Sequence, residues 1–323
     1  MLIFPDRGSM PTMSPETRRG LSLLARVSVT AIALGWVLTR VDPAQALAQM
    51  RTLPLWVFVV PFLAVMTNGL LHGARLSLLM GLAGVEMGVI TGLGVALRAS
   101  FIGLVLPTGG AEVAKVALMT RATGRADAAV AVAVATRLLE FIPWSMLLFW
   151  AVVRGLGRES PPLAWTALGM GMAFFGAVCA GAILARLRVV LPGEGRVSRF
   201  LNNAAAALRR VGGRPGGLAL VTLLAVPFGF LNVFSMWIVL YAFDTGISYP
   251  DALMLIPAAD VWVSLPITIS GVGVREGVVS YVLGLRGIDP SVAVSAALVR
   301  WFGELMRAAV GGLWFVVDPD RER

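Results

Sequence analysis

One cysteine, Cys179, and one histidine, His72, stand among 323 residues. Single copies exclude a disulfide within the chain and a Cys/His zinc site unless a partner supplies ligands. No cofactor or metal is therefore expected, and with no nucleophile-base constellation the chain does not read as an enzyme. Charge is also scarce, at 14% of residues, where soluble domains carry about a quarter. That scarcity excludes an ordinary water-soluble surface. What fills the chain is apolar: 58% hydrophobic residues and a mean hydropathy of +0.83, the composition of an integral membrane protein. The formal net charge is +9, but the cations lie between long apolar runs, where positive-inside topology puts them, so nucleic acid is not an expected partner.

Eight stretches are apolar enough to enter a bilayer: about 21–39, 53–79, 85–106, 126–153, 162–185, 217–243, 249–269 and 290–316. Only helices and closed barrels satisfy their backbone in lipid, and these runs are too long and continuous for barrel strands. The fold class is all-α. Residues 1–17 read as a disordered cytoplasmic tail before one transmembrane domain over 18–317.

Arginines set the expected orientation. Arg7, Arg18 and Arg19 precede the first stretch, and the 186–216 loop carries Arg186, Arg188, Arg196, Arg199, Arg209, Arg210 and Arg214 against Glu194 alone. Both regions are expected on the cytoplasmic side of a bacterial-type inner membrane. Five crossings between them would place that loop outside, so one stretch should enter and return. The candidate is 85–121, broken at Pro107-Thr108-Gly109-Gly110 and resuming with Glu112 and Lys115. A second run, 251–286, breaks at Pro266, Ser270, Gly271 and Gly273 and resumes with Arg275 and Glu276. Shifting the chain by 163 positions places Gly110 on Gly273, Gly124 on Gly287 and Arg137 on Arg300. The expected architecture is thus about six spanning helices plus two re-entrant hairpins in an inverted repeat, about 53–153 and 217–316, with both termini cytoplasmic.

Charges inside a membrane are costly and are kept where they pair or face water. Here Arg98, Lys115, Arg137, Arg275, Arg300 and Arg307 accompany Glu112, Glu140, Asp260, Glu276 and Glu304 around the two breaks. Helical spacing allows Glu112 with Lys115, Arg137 with Glu140, and Arg300, Glu304 and Arg307 to share faces. Two readings stand for each pair, a structural staple or a substrate contact. A half-helix beginning behind Gly109-Gly110, or behind Gly271-Val272-Gly273, aims free N–H groups and its positive dipole end into the protein, which suits an anionic head group. For Arg275, a head-group contact and a pair with Asp260 or Glu112 are the alternatives. For His72, which shares a face with Asn68, they are a titrating role and an interhelical hydrogen bond.

The segment Leu106-Pro107-Thr108-Gly109-Gly110-Ala111-Glu112 with Arg137-Leu138-Leu139-Glu140, and Ser270-Gly271-Val272-Gly273-Val274-Arg275-Glu276-Gly277 with Arg300, resemble the flippase-like family built on the transmembrane region of lysylphosphatidylglycerol synthetase. The resemblance spans most of the chain and implies a transporter of lipids or lipid-linked head groups without its own ATPase. Where that family more often has Gly-Gly-Asp and a following Arg, this chain has Gly110-Ala111-Glu112 and Lys115, and Thr136 stands where an acid often precedes the Arg. Lysine lacks the planar fork of arginine. Only Asp318 to Arg323 follow the last stretch, so no aminoacyl-transfer domain is expected.

The expected substrate-binding set is Gly109, Gly110, Glu112, Lys115, Arg137, Glu140, Asp260, Gly271, Gly273, Arg275, Glu276, Arg300 and Glu304, around a central cavity. The functional expectation is a flippase for an anionic or head-group-modified lipid. Its rival is a non-transporting subunit that binds or presents lipid to a biosynthetic partner. Finally, Val197, Phe200, Leu201, Ala204, Leu208 and Val211 recur at helical spacing opposite arginines, which fits an amphipathic helix on an anionic leaflet or a simple topogenic loop.

Overall fold

The computed structural model describes residues 48, 50–105, 110–186, 195–264 and 273–317. The expected tail and first stretch lie outside these residues, as do 106–109 and 265–272 within the two breaks, Gly109 and Gly271 among them, and the carboxy-terminal six residues. Among the described residues there is no strand. The helices are α1 (Trp56–Leu82), α2 (Val89–Val105), α3 (Gly110–Thr123), α4 (Ala126–Arg154), the single turn α5 (Leu156–Glu159), α6 (Pro161–Arg186), α7 (Arg196–Gly212), α8 (Pro215–Ala242), α9 (Tyr249–Ser264), α10 (Val274–Gly284) and α11 (Pro290–Val317).

Prolines open α6, α8 and α11, where the missing N–H has no intrahelical partner to lose. Four helices, α1, α4, α6 and α8, are long and apolar enough to cross a membrane. With 28 residues, α11 is as long as they are, but Arg300, Glu304 and Arg307 interrupt its apolar run. At 14 and 11 residues, α3 and α10 rise only about 21 and 17 Å, short of a hydrocarbon core of about 30 Å.

The order long, short, short, long occurs twice, as α1–α4 and as α8–α11. The sequence offset reappears in the backbone: Gly124 and Gly287, the two glycines superposed by the 163-residue shift, both take positive φ, +69° and +74°, immediately before the last long helix of each set. A side chain would strain either turn. Corresponding helices α1 and α8 run antiparallel, since Leu82 packs on Gly217 while Asn68 Nδ2, about four turns back along α1, donates to Phe228 O at 3.2 Å.

Two cores follow from this arrangement. Toward one end, Leu76, Leu79 and Met80 of α1 are buried with Leu118 and Met119 of α3, Val132 of α4, Val221 of α8 and Val211 of α7. Toward the other, Val57 of α1 is buried with Leu148 of α4, Met236 and Leu240 of α8, Leu255 of α9, Val282 and Leu283 of α10 and Ala296 of α11. The short pairs α2–α3 and α9–α10 therefore belong to opposite ends of the long helices. Close backbone contacts hold α2 between α1 and α11. An added Cβ at Gly73 would meet Leu93 Cα at 2.6 Å, and one at Gly311 would meet Leu97 O still more closely.

The 186–216 region does contain an amphipathic helix, α7, but the protein itself covers part of its apolar face. Ala207 and Val211 are buried against the first core, whereas Leu201 stays exposed. Arg210 Nη1 donates to Ala83 O at 3.1 Å and Arg214 Nη1 to Gly81 O at 3.4 Å, so cations cap the carbonyl end of α1.

Candidate functional site

Glu112 and Lys115 sit in the first two turns of α3, His72 and Arg75 three apart on α1, and Arg137 and Glu140 three apart on α4. The packing of these helices joins the six side chains. Lys115 Nζ contacts Glu112 Oε1 at 2.8 Å and His72 Nε2 at 3.2 Å. His72 Nδ1 lies 3.0 Å from Glu140 Oε1, which also accepts from Arg75 Nη2 at 2.8 Å. Arg137 closes a ring, donating to Glu140 Oε2 at 3.2 Å and to Glu112 Oε1 at 2.8 Å. The ring grades from half-exposed to dry: the side chain of Arg137 is 49% accessible, that of Arg75 1%. Among the described residues, Arg75 Nε and Nη1 are buried without a hydrogen-bond partner, the guanidinium carbon lying 6.0 Å from the centre of the Phe228 ring. Arg75, Lys115 and Arg137 against Glu112 and Glu140 leave one formal positive charge in excess.

The second cluster is built differently. Arg300 of α11 grips Asp260 of α9 with both terminal nitrogens, Nη1 to Oδ1 and Nη2 to Oδ2 at 3.1 Å each. Asn232 of α8 completes a triad, accepting from Arg300 Nη2 at 2.8 Å and donating to Asp260 Oδ2 at 3.0 Å. The spacing-based pairing of Arg300 with Glu304 is not what forms: Glu304 is bonded to Arg307 at 2.6 Å. Arg307 in turn lays its stem on Gly69, 3.2 Å from where a Cβ would stand. Gly69 is one turn before His72, so a single turn of α1 separates the Glu304–Arg307 pair from the first cluster.

Sequence equivalence accounts for the different partners. Under the 163-residue shift, Arg275 occupies the place of Glu112, and Arg300 that of Arg137. Glu112 bonds Arg137 in the first set; a cation at 275 cannot do the same for Arg300, which turns to Asp260 instead. Arg275 itself makes no hydrogen bond or ion pair among the described residues, and Asp260 and Glu112 are both held by other cations. It occupies the first turn of α10, where the helix dipole opposes a cation. Glu276 is not ion-paired with it among the described residues; its carboxylate accepts from Gly273 N at 2.7 Å and closes the start of the helix. Gly273 holds φ +82° there. Gly110 opens α3 in the corresponding position.

Of the expected residues, then, Glu112, Lys115, Arg137 and Glu140 meet in the first cluster, Asp260 and Arg300 in the second, Gly110, Gly273 and Glu276 form helix starts, and Glu304 belongs to an Arg307 pair. Gly109 and Gly271 lie outside the described residues. Reading along the sequence passed over Arg75 and Asn232. An arginine within an apolar run, three residues after the lone histidine, is itself the signal that finds the first; Asn232, polar in the 217–243 run, is a weaker one.

A helical bundle with buried ion-pair clusters between long and short apolar helices is a multi-pass integral membrane protein. The family model described as the lysylphosphatidylglycerol synthase TM region matches residues 23–311, and the chain belongs to that family. Membership relates the protein to lipid modification or transport. None of the curated proteins compared matches the chain.

Proposed function

We propose that this protein moves an anionic or head-group-modified lipid between the leaflets of a bacterial-type cytoplasmic membrane, without covalent chemistry of its own. Arg275 carries this reading. It is a cation placed against a helix dipole, with no bonded partner among the described residues, beside a glycine-capped helix start. A bound phosphate or carboxylate supplies the hydrogen-bonded partner that the described residues do not.

Topology fits the proposal. In this reading α2–α3 and α9–α10 are re-entrant pairs of an inverted repeat, supported by the antiparallel run of α1 and α8 and by the opposite ends at which the pairs pack. The arginines of α7 and the Arg121–Arg125 turn share the first core's end, which makes that end cytoplasmic under the positive-inside rule. The first pair then enters from the cytoplasm and the second from outside, and a lipid head group passes between the two clusters. Biosynthetic proteins that make or consume the lipid are the natural partners.

The test is protein-dependent movement of a fluorescent phosphatidylglycerol in liposomes, followed by quenching of the outer leaflet. Wild type should move the probe. Arg275→Lys, which keeps charge but loses the bidentate fork, should slow it with thermal stability unchanged. Binding of the probe without movement would instead make the protein a lipid-presenting subunit, and a Lys variant as fast as wild type would remove Arg275 from the head-group site.

A further inference from the structure

The first cluster contains the chain's one histidine, and its ring is clamped at both nitrogens. Nε2 faces the Lys115 ammonium, which has only donors, so Nε2 must accept. Nδ1 lies between Arg75 Nη2, a donor at 2.8 Å, and Glu140 Oε1, an acceptor at 3.0 Å; with Nε2 accepting, the one proton of the neutral ring belongs on Nδ1 and is donated to Glu140. The opposite tautomer would let Nδ1 accept from Arg75 but would set an N–H against the ammonium and a lone pair against the carboxylate. The geometry thus selects the neutral ring with its proton on Nδ1 and uses Lys115 to block the second site.

Lys115 and Glu112 ride on α3, whereas His72, Arg75, Arg137 and Glu140 belong to the long helices α1 and α4. Arg75 touches the ring from its own helix at 2.8 Å, and among the described residues no other packed helix brings a charge against it. On α11, Arg307 lies over Gly69 and is paired with Glu304; on α2, Arg98 donates to Gly94 O and faces Phe315; α8 presents Phe228 and Asn232. Withdrawal of α3 removes one cation and one anion together. It leaves Arg75 and Arg137 with Glu140 and uncovers Nε2.

We infer that His72 is a proton-binding site, loaded when α3 carries Lys115 away, and that it couples lipid movement to a proton gradient. This rests on the transport reading above. In the loading step a proton from water adds to the Nε2 lone pair while Nδ1–H stays on Glu140. The set then carries two positive charges in excess, and one anionic head group reduces this to one. The buried Nε and Nη1 of Arg75, which have no partner, are donors available to that anion. Proton and anionic lipid therefore favour one another's binding and cross together, and the lipid collects in the leaflet facing the alkaline side.

Two measurements on the full-length protein test the inference. In liposomes with an imposed pH gradient, one-for-one coupling gives a steady-state leaflet asymmetry of fluorescent phosphatidylglycerol of about tenfold per pH unit, or about 1.4 kcal/mol. A protonophore abolishes it, and His72→Gln develops no asymmetry. Wild-type movement indifferent to the gradient, or a gradient response kept in His72→Gln, overturns the coupling while leaving the transport reading intact. Absence of wild-type movement under every gradient condition overturns the transport reading and the coupling with it. Nitrogen-15 NMR of the single labelled histidine tests the site independently of transport. The ring should be neutral with its proton on Nδ1, and Lys115→Met should change the pH at which it becomes doubly protonated. A proton on Nε2, or a titration that ignores Lys115→Met, overturns the site itself.

Discussion

Arg300 takes its carboxylate from Asp260, forty positions away in sequence and on another helix, rather than from Glu304 on its own face. Removing one partner of such a buried pair leaves an uncompensated charge, typically a loss of about 3–5 kcal/mol. Arg300→Met should therefore lower the melting temperature in detergent sharply, and Arg300→Met with Asp260→Asn should recover most of it. If the single variant melts like wild type, the triad with Asn232 does not stabilise the fold. The helical i, i+3 pairs Glu112–Lys115, Arg137–Glu140 and Glu304–Arg307 were legible in the sequence because spacing alone brings such residues together. Partners supplied by tertiary packing were not: nothing local ties Arg75 to Glu140 or Asn232 to Asp260.

Helix boundaries were easier to read than partners, because Pro215, Pro290, Gly124 and Gly287 mark them chemically. How closely helices approach was not, since a glycine in an apolar run looks alike whether it faces lipid or a backbone. Gly311 faces the Leu97 carbonyl. Even alanine there must push α11 off α2, so Gly311→Ala should cost about 1–3 kcal/mol, read as thermal destabilisation, whereas Gly176→Ala, with open space around it, should be neutral. At the start of α11, the Ser291 hydroxyl, aided by its backbone N–H, holds the Asp289 carboxyl below the usual carboxylate range. A lowered folded value means that this cap stabilises the protein above the unfolded carboxylate value of about 4 and ceases to do so as pH falls through the folded value. Asp289→Asn should flatten that acid-side loss in a series of melting curves, and an unchanged series would show the cap to be energetically idle.

For the molecule as a whole, orientation is testable through its lone thiol. Cys179 is exposed, so a Cys179→Ser background gives a clean start for cysteines introduced at Arg158 and Arg209. These should label from opposite sides of sealed vesicles; labelling from one side would overturn the re-entrant assignment. The sequence pattern carried the all-helical, membrane-embedded character because apolar length and charge scarcity survive without tertiary context. The two ion-pair clusters also have a bearing on biogenesis. Every bonded member of the first, His72 to Glu140, lies in the earlier half of the chain, and every member of the Asn232–Asp260–Arg300 triad in the later half. A ribosome delivering helices in order thus allows each half to pair its own charges while the chain is still entering the bilayer. The second core, which mixes Val57 with residues of α8 to α11, must wait for the last helix. Insertion is thereby separated in time from final packing, and a chain halted after α6 should be integrated in the membrane yet open to proteases.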